Sequence, residues 1–95
     1  MKAIKSELYI KHISWEQVER QWNNFLKEFQ SLINGDVTMY DGTYKNEKVI
    51  GIDLELKSPT FKECEANFIL SKKLVLKYFN QIPSQITKIK LENYI

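Results

Sequence analysis

The fold is decided by residues 13–35, whose sequence is ISWEQVERQWNNFLKEFQSLING. Their apolar side chains recur at the spacing that places them on one face of an α-helix, and these residues are Trp15, Val18, Trp22, Phe25, Leu26, Phe29, Leu32 and Ile33. Ser14 is placed to cap the first turn, and Gln17 is placed to return a hydrogen bond to the Ser14 amide. At the far end, Asn34 and Gly35 tolerate the left-handed backbone that closes many helices. This stretch predicts a long amphipathic helix against which the rest of the chain must pack.

Composition indicates one domain over residues 1–95. Of these residues 43% are apolar and 13% are aromatic, which is enough for a single hydrophobic core and argues against disorder. No apolar run approaches the roughly 18 residues that a membrane span requires. The first five residues alternate in polarity, where a secretory signal would be uninterrupted. We therefore expect a cytoplasmic protein that does not associate with membranes.

Charge is unevenly distributed, although the net charge is only +2. Residues 36–65 contain seven acidic residues and four lysines, whereas residues 66–95 contain five lysines and one glutamate. The folded surface is therefore expected to carry one acidic and one basic patch.

Alternation of polar and apolar residues predicts strands on both sides of the helix. Residues 3–10 form a half-buried strand in this interpretation, and residues 86–91 form the last one. The clearest alternation is in residues 48–57, where one face consists of Ile50, Ile52, Leu54 and Leu56.

A hairpin is predicted before that clearest strand. Residues 37–44 are rich in β-branched and aromatic side chains, and residues 45–47 form a short polar connection. The pair Asp41-Gly42 offers a competing turn or a bulge, and the pattern leaves this choice open.

Residues 61–70 fit both a strand and a helix. At a period of two, the residues that face the core are Cys64, Ala66, Phe68 and Leu70. At a period of 3.6, residues 60–80 form one helix capped by Ser58, and its apolar stripe is Phe61, Cys64, Phe68, Val75 and Phe79. We favour the strand, because Ser71 is a suitable cap for a separate short helix.

The predicted architecture is a two-layer α+β domain, an antiparallel sheet with two helices on one face. The favoured element order is β-α-β-β-β-α-β. The alternative, with residues 60–80 as one helix, is β-α-β-β-α-β, the order of a ferredoxin-like split unit.

The favoured order creates an acidic surface. If residues 58–60 turn between two antiparallel strands, four carboxylates share the solvent face. Glu55 then lies opposite Glu63. In the same register Asp53 lies opposite Glu65. Like charges placed opposite each other repel, and a basic protein surface or a divalent cation would offset the repulsion. A register shifted by two residues, or lysines close by, would remove the need for a ligand.

Lysines form a second candidate surface, which consists of Lys72, Lys73, Lys77, Lys88 and Lys90. The segment Ser71-Lys72-Lys73, at the start of the predicted second helix, resembles the corresponding helix start in double-stranded RNA-binding domains. Residues 15–82 would share the α-β-β-β-α order of that family. The resemblance implies lysines that contact phosphates across a groove. A solvated helix face is the alternative interpretation.

Aromatic residues suggest two further roles. Trp15 and Trp22 fall on the apolar stripe of the long helix and are expected in the core. Tyrosines would form a stacking surface for single-stranded nucleic acid if they share a sheet face, and these are Tyr9, Tyr40, Tyr44 and Tyr94. Strands also favour tyrosine for ordinary packing.

Catalysis, a cofactor and a bound metal find no support in the sequence. His12 and Cys64 are the only residues of their kinds and fall on different elements, so they form neither a nucleophile–base pair nor the usual zinc ligand sets. The three glycines are too dispersed for a phosphate-binding loop.

We therefore expect a non-catalytic domain that masks a protein partner with a basic surface, through Asp53, Glu55, Glu63 and Glu65. Small charged α+β chains without catalytic groups are common among toxin-immunity and phage anti-defence inhibitors, and this chain is similar to them in kind. Nucleic-acid binding through the five lysines is the alternative function. Formation of a homodimer through an edge strand, either residues 37–44 or residues 86–91, is a third.

Overall fold

The computed structural model describes residues 1–87 and 89–93. Its elements are, in chain order, β1 (Lys2–Ile10), α1 (Trp15–Leu32), β2 (Gly35–Tyr44), β3 (Glu47–Ser58), α2 (Phe61–Phe79), β4 (Ser84–Gln85) and β5 (Lys90–Asn93). The predicted α+β class, with two helices and an antiparallel sheet, is confirmed over these residues.

The strand order of the sheet is β2-β3-β1-β4, and β5 pairs with β1 farther along the same edge as β4. All neighbouring strands are antiparallel. β1 and β2 are joined through α1 and separated by β3, as in a ferredoxin-like split unit. The alternative element order is therefore the observed one, with the last strand divided in two.

Helix α1 begins as its sequence predicts. The Gln17 amide donates to the Ser14 hydroxyl, and the Gln17 side chain accepts from the Ser14 amide, which completes the capping box. The predicted left-handed ending is wrong, because Ile33 is extended and leads directly into β2. Gly35 is needed for space, since a Cβ there would lie 2.2 Å from the Glu55 carbonyl oxygen.

Helix α2 replaces the strand predicted over residues 61–70, so the favoured element order is wrong. Thr60 caps the helix by accepting from the Glu63 amide at 3.2 Å. Ser71, the expected cap of a separate helix, lies within α2, where its buried hydroxyl donates to the Asn67 carbonyl at 2.8 Å. A strand here has no place beside β3, because β1 and β2 already occupy both of its edges.

The core lies between the two helices and one face of the sheet. From the sheet it includes Leu8, Ile10, Ile50, Ile52, Leu54 and Leu56, and from the helices Val18, Phe25, Phe29, Phe68, Leu74, Val75 and Phe79. Neither helix in the described part of the chain is long and apolar enough to cross a membrane.

The predicted hairpin is present, whereas the last strand differs from its prediction. Lys45 and Asn46 form the two-residue turn, both with positive φ, and the register between β2 and β3 continues through Asp41 and Gly42 without a bulge. The single strand predicted over residues 86–91 is instead divided into β4 and β5.

Candidate functional site

One face of the sheet carries neither helix. Alternate residues of β1, β2 and β3 point to solvent on this side, which we call the bare face. Its side chains form three cross-strand rows, Lys5–Glu55–Asp36, Glu7–Asp53–Thr38 and Tyr9–Gly51–Tyr40. The bare face therefore brings charged and aromatic residues of three strands together.

A groove of about 340 Å³ runs along the first two rows. Its charged lining consists of four carboxylates and two lysines, namely Glu7, Asp36, Asp53, Glu55, Lys5 and Lys90. We call it the acidic groove. Lys5 pairs with Glu92 at 3.3 Å, and Glu55 pairs with Lys57 at 3.4 Å, so part of this charge is balanced within the chain.

The centre of the acidic groove is a pair of like charges. Glu7 lies directly opposite Asp53, and neither forms an ion pair with another described residue. Partial burial, and then the charge of Glu7, raise the pKa of Asp53. Carboxylates placed opposite each other destabilise a sheet, so a bound cationic group would relieve this repulsion.

Tyrosines border the acidic groove on the bare face. The Tyr40 ring lies over Gly51, where an added Cβ would be 2.1 Å from Tyr40 Cζ. Burial raises the pKa of Tyr40, and the charges of Asp53 and Glu7 raise it further. The rings of Tyr9 and Tyr44 are 4.8 Å apart.

The predicted cluster of four carboxylates does not form. Asp53 and Glu55 lie on the bare face, whereas Glu63 and Glu65 lie in the first turns of α2. Glu63 accepts a hydrogen bond from the Ser58 hydroxyl at 2.6 Å and so has a role at the start of the helix. The neighbours of Asp53 and Glu55 are instead Glu7 and Asp36, which the sequence analysis did not select. The alternation of β1 marked Glu7 as solvent-facing, but nothing local indicated that β1 pairs with β3.

The predicted lysine surface is divided between two sides of the molecule. Lys72, Lys73 and Lys77 lie on α2, where Lys77 forms an ion pair with Glu28 of α1. The hydrogen bond that Lys77 donates to Glu28 within this ion pair raises the pKa of Lys77. Lys90 lines the acidic groove, and Lys88 is outside the described residues. The resemblance to a double-stranded RNA-binding domain does not hold, because Ser71 is in the middle of α2 and only two strands lie between the helices.

The two tryptophans expected in the core are only partly buried. Both pack against the core, and both also line a groove of about 310 Å³ between α1 and β2. The lining of this groove, which we call the tryptophan groove, is Trp15, Val18, Glu19, Trp22, Val37, Thr38 and Met39. β2, which forms the sheet side of this groove, is an outer strand of the sheet in the described residues.

The lone cysteine and histidine stay apart. The buried Cys64 thiol donates to the Leu56 carbonyl at 3.5 Å, and burial raises the pKa of this thiol, which disfavours the nucleophilic thiolate. His12 lies in the connection from β1 to α1, with φ of 59°. Within residues 1–87 and 89–93, no group of three or more side chains is arranged to hold a metal ion.

Comparisons with known proteins gave no match. No protein-family model, no curated protein and no solved structure matches this chain.

Proposed function

We propose that this chain is a non-catalytic, cytoplasmic domain that binds a basic segment of a protein partner on its bare face and masks it. Inhibitors of the toxin-immunity and phage anti-defence kind act in this way, by covering a functional surface of another protein.

The opposition of Glu7 and Asp53 carries the proposal. Two carboxylates held side by side on a sheet cost stability in the free protein, and lysine or arginine side chains of a partner would neutralise both. The neighbouring Tyr40 is 38% exposed and offers a ring face to the same cations. Tyrosine is also enriched among the residues that contribute most to binding at protein interfaces.

Nucleic acid fits the bare face less well. Three tyrosines on a sheet suit the stacking of bases, but the phosphates that accompany the bases would meet the four carboxylates of the acidic groove. The lysines that would attract phosphates lie mainly on α2, in the opposite layer.

The experiment is a titration of the ¹⁵N-labelled protein followed by amide chemical shifts. The probe is a nine-residue peptide that alternates lysine with serine, and oligothymidylate is used in a parallel titration. We expect the peptide to shift amides of β1 and β3 on the bare face, with binding that weakens as salt is added. Shifts confined to α2, or binding of the oligonucleotide alone, would contradict the proposal.

A matched pair of variants locates the contact. The double variant Glu7→Gln/Asp53→Asn is expected to weaken peptide binding about tenfold, since each exposed ion pair is worth about 0.5–1 kcal/mol. The double variant Glu63→Gln/Glu65→Gln removes the same charge from α2 and is expected to bind as the unmodified protein does. Equal loss in both variants would show a non-specific charge effect.

A further inference from the structure

The outer edge of β2 has no strand paired to it in the described part of the chain. β2 has ten residues and so offers an edge about 33 Å long. The opposite edge of the sheet is formed by β4 and β5, which have only two and four residues. Proteins commonly protect sheet edges by making the edge strands short, and β2 lacks that protection.

One hydrogen bond establishes which residues of β2 bond to β3 and which direct their backbone groups outward. The Lys57 amide donates to the Asn34 carbonyl at 2.9 Å, and the register beyond this pair is continuous. Bonding alternates along an antiparallel ladder, so the even-numbered residues of β2 bond to β3. The odd-numbered residues, including Val37, Met39 and Asp41, therefore direct their amides and carbonyls outward.

Two of these odd-numbered residues also line the tryptophan groove. The side chains of Val37 and Met39 lie on the helix side of the sheet and form the floor of that groove beside Trp22. In an antiparallel strand added to this edge, the residues opposite Val37 and Met39 would point to the same side. Those residues would fill the groove, and the alternate residues would point to the bare face beside Asp36 and Tyr40.

Charge identifies what kind of strand fits this edge. Glu19 lines the groove, Asp36 and Asp41 lie on β2, and β2 contains no basic residue. A second copy of the chain would bring these carboxylates against identical ones. It would also bring a second tryptophan groove to the edge, whereas the first groove needs side chains that fill it. A partner strand with basic residues meets neither obstacle.

We infer that β2 accepts an extended segment of the partner as an added antiparallel strand, with apolar residues in the tryptophan groove alternating with basic residues over the bare face. The inference rests on the proposed function, because the added strand places basic residues at the β2 border of the bare face, next to Asp36. It adds the backbone pairing and the apolar anchors.

The test uses a nine-residue peptide that alternates lysine with isoleucine. The chain's two tryptophans both line the groove, so its occupation is expected to shift tryptophan fluorescence to shorter wavelength. The lysine–serine peptide is expected to bind without that shift. If neither peptide binds, both proposals fail. If both peptides bind and neither changes the fluorescence, only the inference about the groove fails.

Methylation of peptide amides tests the backbone pairing. Isoleucine amides would donate to β2, and lysine amides would point away. N-methylation of the isoleucines is expected to weaken binding at least tenfold, whereas N-methylation of the lysines leaves binding unchanged. Equal effects of the two modifications would overturn strand addition.

Variants of the protein give the reciprocal test. Asp41→Pro removes an amide that points away from β3, so no hydrogen bond between β2 and β3 is lost. This variant is expected to weaken binding of the lysine–isoleucine peptide several-fold more than Asp41→Ala does. Equal binding by these two variants would overturn the inference. A dimer that sedimentation detects in the free protein, and that Asp41→Pro abolishes, would overturn it as well, by assigning the edge to a second copy.

Discussion

The two faces of the sheet differ in what their side chains contribute, although the same strands supply both. On β3, Ile52, Leu54 and Leu56 are at most 4% exposed and pack under the helices. On the other side of that strand, Asp53 opposes Glu7 and forms no ion pair with a described residue. Stability therefore comes mainly from one face, whereas the other carries like charges that repel each other. The following predictions test that separation.

The largest expected effect is on the covered face. The Phe25 ring is fully buried, with the rings of Trp22, Phe29, Tyr78 and Phe79 between 5.3 and 6.0 Å away. Phe25→Ala is expected to lower the free energy of unfolding by about 3–5 kcal/mol, because it removes buried contacts and leaves a cavity. Tyr40→Ala on the bare face is expected to cost less than about 1 kcal/mol. Urea denaturation measures both, and similar losses would contradict the separation.

Two glycines of β2 provide a second comparison. Gly35 points to the covered face, and a Cβ there would meet backbone, so Gly35→Ala is expected to cost about 1–3 kcal/mol. Gly42 points to the bare face, and a Cβ there would lie 3.3 Å from a ring carbon of Tyr40, a side chain that is 38% exposed, rather than against backbone. Gly42→Ala is therefore expected to change the unfolding free energy by less than about 0.5 kcal/mol. If the order of these costs is reversed in thermal unfolding, the assignment of faces is wrong.

A buried hydroxyl gives a smaller effect of opposite sign. Ser6 is 4% exposed on the covered face, and its Oγ has no hydrogen-bond partner among the described residues. Ser6→Ala is expected to raise the unfolding free energy by about 1 kcal/mol, because it removes the desolvation cost of that group. Ser71→Ala is the control, since that hydroxyl does have a partner, and it is expected to give no gain. A loss of stability in Ser6→Ala would show that the hydroxyl is satisfied in solution.

The smallest effect concerns pH and the bare face. The pKa of Asp53 is raised in the folded protein, so the folded state holds this proton more tightly than the unfolded state does. The ionised Asp53 therefore lowers stability above its folded pKa, and this penalty is relieved as the pH falls through that value. Asp53→Asn is expected to be more stable than the unmodified protein by about 0.2–1 kcal/mol at neutral pH. Melting temperatures measured across the acid range should converge, and a constant difference would contradict the raised pKa of Asp53, whose causes are burial and then the charge of Glu7.

Sequence signals were sufficient where they acted over a few residues. The cap at Ser14, the return bond from Gln17 and the apolar stripe of α1 all lie within one segment, and the structure contains each of them. The same kind of signal failed at Ser71, because a serine inside a helix can donate to the carbonyl of the preceding turn. Whether residues 61–70 form a strand or a helix depended on which strands pair with β3. That pairing involves residues that are distant in the sequence, so the segment itself does not report it.

The candidate site shows the same limit. Alternation correctly placed Asp53 and Glu55 on the solvent side of their strand. Their neighbours Glu7 and Asp36 come from strands that precede them and reach them through long-range pairing. No local pattern reports such pairing, so the analysis of local patterns put Glu63 and Glu65 beside them, whereas these two residues lie on α2.

The unequal edges of the sheet also limit how large an assembly can grow. Growth of a fibre by edge-to-edge pairing requires each copy to have two compatible sheet edges. One edge pairs with the preceding copy, and the other pairs with the following copy. Of the two sheet edges in residues 1–87 and 89–93, the one formed by β2 is long and continuous, whereas β4 and β5 are short separate pieces. A series of copies paired edge to edge therefore has no second long edge from which to continue.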